Sequence, residues 1–188
     1  MKRLLAVAVI LLTVSAVSSA QLALKGIGGA LGFVTASLNT GGTSSESMSG
    51  FAIAAHADLG EFTKDISLVP DVMYWSMSKD ISGVTAKFSD FAINANAHYN
   101  VAMEGMLKPY VGAGLGINFV SSTVTVPGFL GFGGGTLTAS DTKIGINLLV
   151  GVNYKLNDML TLVVEPRYVL SSDFNHLLIK AGVTYAMK

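Results

Sequence analysis

Four charged residues stand where charge is costly: Asp71, Glu165, Arg167 and Lys180. Each falls midway between turns, on the polar register of a segment that alternates apolar with small or polar residues. An unpaired charge withdrawn from water costs several kcal/mol, so groups in that position have to pair. Arg167 and Lys180 are therefore expected to meet Asp71 and Glu165 in one network. Glu165 and Arg167 are two residues apart, which sets them on one face of a strand, about 7 Å from each other. Such a network either plugs and rigidifies a barrel or lines a gated ion path. The plug is the favoured reading for a barrel of few strands, which leaves room only for side chains.

Other constellations are weaker. His56, His98 and His176 share the polar register, but a metal site needs two or more ligands converging at about 2 Å on one ion. Nothing in their spacing enforces that, so each reads as a hydrogen-bonding residue. Ser172, Asp173 and His176 form a candidate nucleophile, orienter and base near one strand end, but hydrophilic loop residues often cluster without chemistry. The Gly112, Gly114, Gly116 series has period two, which is strand packing rather than a phosphate loop. No catalytic, cofactor-binding or metal-ligating residue is assigned, and no cofactor is implied.

Eight segments carry period-two alternation with one apolar face. They lie at about 25–38, 49–60, 66–77, 88–101, 108–120, 142–156, 159–170 and 176–187. The segment at 88–101 is the clearest: Phe91, Ile93, Ala95, Ala97, Tyr99 and Val101 oppose Asp90, Ala92, Asn94, Asn96, His98 and Asn100. Long connections rich in Gly, Ser and Thr are expected at 39–48, 78–87 and 121–141, with shorter ones near 61–65, 102–107 and 171–175. Asn157–Asp158 is expected to be a two-residue hairpin turn, since both residues tolerate positive φ. The glycine-rich stretch at 127–135 reads as a loop tip.

Orientation follows from what opposes the apolar face. A water-soluble barrel would carry Lys and Glu there, whereas this chain carries Gly, Ala, Asn and Ser. Only 13% of the residues are charged while 51% are hydrophobic, and no run after Leu12 is long enough for a spanning helix. Alternating strands closed into a barrel satisfy every backbone group in lipid. Tyr74, Tyr99, Tyr154, Tyr168 and Tyr185 lie toward strand ends, as interfacial aromatics do.

The stretch Lys108-Pro109-Tyr110-Val111-Gly112-Ala113-Gly114-Leu115-Gly116 resembles the Pro-Tyr-x-Gly-x-Gly-x-Gly strand of the OmpA/OmpX-like small outer-membrane β-barrel family. Val164-Glu165-Pro166-Arg167-Tyr168 is similar to that family's penultimate strand. Members commonly end in a lipid-facing aromatic. Here Tyr185 is on the outward register and Met187 is the last outward residue.

The start of the chain fits export. Lys2 and Arg3 precede an apolar run from Leu4 to Leu12, and Ser18 and Ala20 suit cleavage after Ala20. The alternative is an uncleaved N-terminal anchor. The domains expected are a signal peptide over 1–20 and a barrel over 21–188. With Lys2 and Arg3 removed, the formal charge goes from zero to −2 and no basic run remains, so nucleic acid is no partner. Without cysteine there is neither a disulfide nor thiol chemistry.

The fold expected is all-β, an eight-stranded antiparallel up-and-down transmembrane barrel preceded by a cleaved signal peptide. The function expected is structural or surface-interacting rather than enzymatic, in the outer membrane of a Gram-negative envelope. The expected partners are outer-membrane lipid, lipopolysaccharide and, during insertion, the barrel-assembly machinery. A surface ligand is not specified, and the barrel is expected to be a monomer. A narrow pore for small solutes or ions and an outer-membrane lipid-modifying enzyme are the alternatives.

Overall fold

The computed structural model describes residues 22–39, 45–81, 83–128, 134–171 and 175–187. The segment read as a signal peptide lies outside the described residues. The strands are β1 Gly26–Asn39, β2 Ser45–Asp58, β3 Glu61–Thr63, β4 Ile66–Ile81, β5 Val84–Asn100, β6 Leu107–Val126, β7 Gly135–Lys155, β8 Leu160–Ser171 and β9 His176–Ala186. β3 is a three-residue ribbon at the foot of β4. The other eight form an antiparallel ring, closed by pairing of β1 with β9 and of β2 with β4. Closure leaves no long strand edge unpaired, the condition for crossing lipid with strands.

Outward residues are apolar and exposed, the reverse of a water-soluble core. Phe51 is 80% exposed and Leu31 69%. On β5, Phe91, Ile93 and Tyr99 point out, while Ala92, Asn94, Asn96 and His98 are buried inside. On β7 the outward apolar row runs from Ile144 to Tyr154. Ten residue steps at the usual strand rise and barrel tilt make a band about 25 Å tall.

Above that band the outward register changes chemistry. Thr123 meets Thr138 at 3.2 Å, Thr125 meets Thr136 at 3.4 Å, and Ser140 donates to Ser121 at 3.4 Å. Three rungs of hydroxyls follow Phe119 directly, and this is where lipid gives way to water.

Those rungs correct the expected loops. The connection expected at 78–87 is mostly strand, since β4 reaches Ile81 and β5 starts at Val84. Most of 121–141 is strand as well, leaving only 127–134 between β6 and β7. β2 begins at Ser45, inside the connection expected at 39–48. The physical reason is that a ladder standing in water needs no apolar face. Thr- and Val-rich sequence pairs well there without the alternation that marks a lipid-facing strand. The tip residues 129–133 lie outside the described residues.

The turn at Asn157–Asp158 also differs. Positive φ is absent there: Asp65, at 63°, is the one non-glycine residue with positive φ among those described. Instead Asn157 Oδ1 accepts from the amides of Met159 at 2.8 Å and Leu160 at 2.9 Å, and Leu156 N donates to Leu160 O. The hairpin between β7 and β8 is present, but a side-chain-capped turn takes the place of the expected two-residue positive-φ turn, because Asn bonds the backbone two and three residues ahead.

The lumen is layered. An open cavity of about 710 Å³ occupies the end holding the short turns, the start of β1 and the end of β9. Charged and amide side chains fill the middle. Toward the end bearing the β4–β5 and β6–β7 hairpins lies an apolar layer built from Val34, Met73, Trp75, Met77 and Leu178. The expectation of glycine, asparagine and ions inside misses that layer, although parity sets Met73 and Trp75 on the inner face.

Candidate functional site

Six of the eight long strands contribute side chains to the middle of the lumen. Asp71 comes from β4, Asn94 and Asn96 from β5, Tyr110 from β6, Asn147 from β7, Glu165 and Arg167 from β8, and Lys180 from β9. Each lies on the inward register. Across β8 and β9, Glu165 sits directly opposite Lys180.

The structure brings the four charged residues together. Arg167 Nη2 lies 2.5 Å from Asp71 Oδ2, and Nη1 reaches Asp71 Oδ1 at 3.3 Å. The same guanidinium donates through Nε to Glu165 Oε1 at 3.0 Å. Lys180 Nζ lies 3.1 Å from Glu165 Oε1 and 3.8 Å from Asp71 Oδ2. Two carboxylates therefore face two cations, and the cluster is formally neutral. That balance matters because all four are 5% exposed or less, and charges in such a setting persist only when paired and hydrogen-bonded.

Neutral groups complete the shell. Asn94 and Asn96 donate to Asp71 at 2.7 and 2.8 Å. Asn147 donates to the carbonyl oxygens of both asparagines, at 2.9 and 3.0 Å. Tyr110 donates its hydroxyl to Glu165 Oε2 at 2.7 Å and stacks on His98, with ring centroids 4.5 Å apart. The glycine series provides the room. A Cβ at Gly114 would strike Asn96 Oδ1, one at Gly116 would strike Asn94 Oδ1, and one at Gly151 would strike the Tyr110 ring.

Sequence reasoning alone does not single out Tyr110, Asn94, Asn96 or Asn147 as site residues. A signal for Tyr110 exists: it falls on the same register as Gly112, Gly114 and Gly116, the inner one, unlike the outward tyrosines.

The three histidines are separated. His56 Nε2 is 2.7 Å from Thr184 Oγ1, His98 lies against Tyr110, and His176 lies 5.0 Å from the Trp75 ring. Among the described residues no three His, Asp or Glu side chains are placed to hold a metal ion. Ser172 and Asp173 lie outside the described residues, and His176 is 3% exposed against the indole.

A sequence model described as outer membrane protein beta-barrel domain matches residues 4–186. The chain belongs to this family. The apolar outward band calls for a membrane, and the family places the chain in the outer one. Among solved structures, Neisserial surface protein A is similar at a TM-score of 0.64 and 23% identity, over 86% of this chain and 97% of that one. Ail, the attachment invasion locus protein of Yersinia pestis, is similar at 0.54 and 12% identity, over 88% and 100%. A major outer membrane protein of Thermus thermophilus aligns at 0.50 and 14% identity, over 85% and 99%. At such identities the likeness is one of fold. No curated protein matches the sequence.

Proposed function

We propose that this outer-membrane barrel is closed at mid-height and acts as a structural or surface-interacting protein rather than as a pore or an enzyme. The observation that carries the reading is the lumen cluster: Asp71, Glu165, Arg167 and Lys180 are paired, neutral in sum and almost wholly buried. The apolar layer of Trp75, Met77 and Leu178 lies above it, each 2% exposed or less. Hydrated ions would have to displace both layers in a barrel of a size that side chains fill.

In this reading the hairpin end faces outward and the short-turn end faces the periplasm, following the usual asymmetry of outer-membrane barrels. The chain is exported with cleavage after Ala20 and inserted by the barrel-assembly machinery. It sits as a monomer among outer-membrane lipid and lipopolysaccharide. The surface it presents comprises the outer parts of β4–β5 and β6–β7.

Planar-bilayer recording of the refolded barrel tests closure. The expected result is a silent membrane with at most brief, small events. Steady large openings would contradict the plug and favour the narrow-pore alternative. An unchanged lipid mass spectrum in cells overexpressing the protein is expected as well, and a shifted one would favour lipid modification.

A further inference from the structure

We propose that a second cavity, at the hairpin end of the lumen, binds a small ammonium compound that also carries an oxygen acceptor. This goes beyond the closed-barrel reading, since the cavity lies above the apolar layer. It measures about 300 Å³, and Trp75, Asp90, Asn118, Asp141, Lys143 and His176 are among its lining residues. That is the lower end of the range for small-molecule sites.

Two buried groups on this wall lack a well-aligned partner among the described residues. Asp90 is 1% exposed, and neither of its carboxylate oxygens has a hydrogen bond of ordinary geometry among the described residues. The donors that reach toward it, the Phe119 amide and the Trp75 indole, are both uncharged, so its charge has no counter-ion among the described residues. Asn118 is 3% exposed, and its Nδ2 likewise has no partner there. Buried polar atoms are rarely left bare, and a carboxylate least of all. The register explains how they come together. Asp90 on β5 pairs across from Trp75 on β4, and Ala92, two residues on, pairs with Asn118 on β6. All three therefore face inward within one diagonal step. Gly145 holds the space open, because a Cβ there would lie 2.7 Å from Asn118 Nδ2.

The chemistry of the occupant follows. Asp141 and Lys143 at the rim already pair at 2.7 Å, so Asp90 is the wall's carboxylate without an ion pair. It asks for a cation bearing N–H donors. The indole of Trp75 adds an aromatic surface that favours a cation. Asn118 Nδ2 asks for an acceptor on the same molecule, and an amide donor beside the carboxylate disfavours a bare metal ion. A molecule pairing an ammonium with a carbonyl or hydroxyl oxygen two or three bonds away meets both demands.

Trp75 is the chain's single tryptophan, so its emission reports on this cavity directly. The refolded barrel in micelles is titrated with glycinamide, with methylammonium, which lacks the oxygen acceptor, and acetamide, which lacks the ammonium, as controls. The expected result is a saturable change in emission with glycinamide. Each control is expected to bind at least about tenfold more weakly, as is glycinamide to Asp90→Asn, from the loss of a charged hydrogen bond. Heat-modifiable gel migration checks that each variant is folded. Asn118→Ala provides a second arm and is expected to weaken glycinamide while leaving methylammonium unaffected. No saturable change in the native barrel, or undiminished glycinamide affinity in either folded variant, would overturn the proposal. The readout is emission from Trp75 rather than ion flux, so this outcome is distinguishable from the conductance test.

Discussion

Arg167 bridges the two carboxylates of the lumen, and everything else in the cluster is arranged around that bridge. Removing one partner of a buried ion pair strands the others and costs about 3–5 kcal/mol. Arg167→Ala is therefore expected to lower the unfolding free energy by that amount, read from urea titrations in lipid vesicles. A change within about 0.5 kcal/mol, the range of a surface substitution, would mean the charges are solvated rather than buried. Tyr110→Phe removes only one charge-assisted hydrogen bond and is expected to cost about 1.5–3 kcal/mol in the same assay. The four charges were legible in the sequence because ionised residues are scarce there and fall on the polar register. Their neutral partners were not. Asparagine and tyrosine occur at lumen, interface and turn positions alike, and only the three-dimensional register shows which of them reach Asp71 and Glu165.

At the level of strands, the apolar period marks where lipid begins and ends but not where a strand begins and ends. The Thr123–Thr138 rung belongs to the same ladder as Ile117–Ile144, yet only the latter faces acyl chains. A lysine probe separates them. Leu148→Lys, on the outward face of β7 within the band, is expected to cost about 2–4 kcal/mol in lipid vesicles, whereas Thr138→Lys above it is expected to be near neutral. Equal costs at the two positions would misplace the membrane boundary. This is also why the membrane-spanning core of each strand was readable while the hairpin extensions looked like loops. Water on both sides of a hairpin erases the alternation and leaves only β-branched composition, which a serine- and glycine-rich stretch dilutes. The Asn157 turn escaped for a similar reason. The residue type announced a turn, but the choice between positive φ and a side-chain cap depends on how β7 and β8 are spaced.

For the whole molecule, closure of eight strands follows from an even count, short turns alternating with longer hairpins, and the need to leave no edge in lipid. The layered filling of the lumen was only half visible, since a buried Met73, Trp75 and Met77 row resembles any other apolar stretch until the barrel is closed around it. Which face meets the bilayer decides everything else about the molecule. Because the chain contains no cysteine, single cysteines can be introduced and spin-labelled one at a time along β5 from Phe91 to Tyr99. In lipid vesicles, collisions with dissolved oxygen are expected to be frequent at 91, 93, 95, 97 and 99 and sparse at 92, 94, 96 and 98, a period of two. The opposite phase, no alternation, or free access of a water-soluble relaxant to the odd positions would contradict a lipid-facing apolar band.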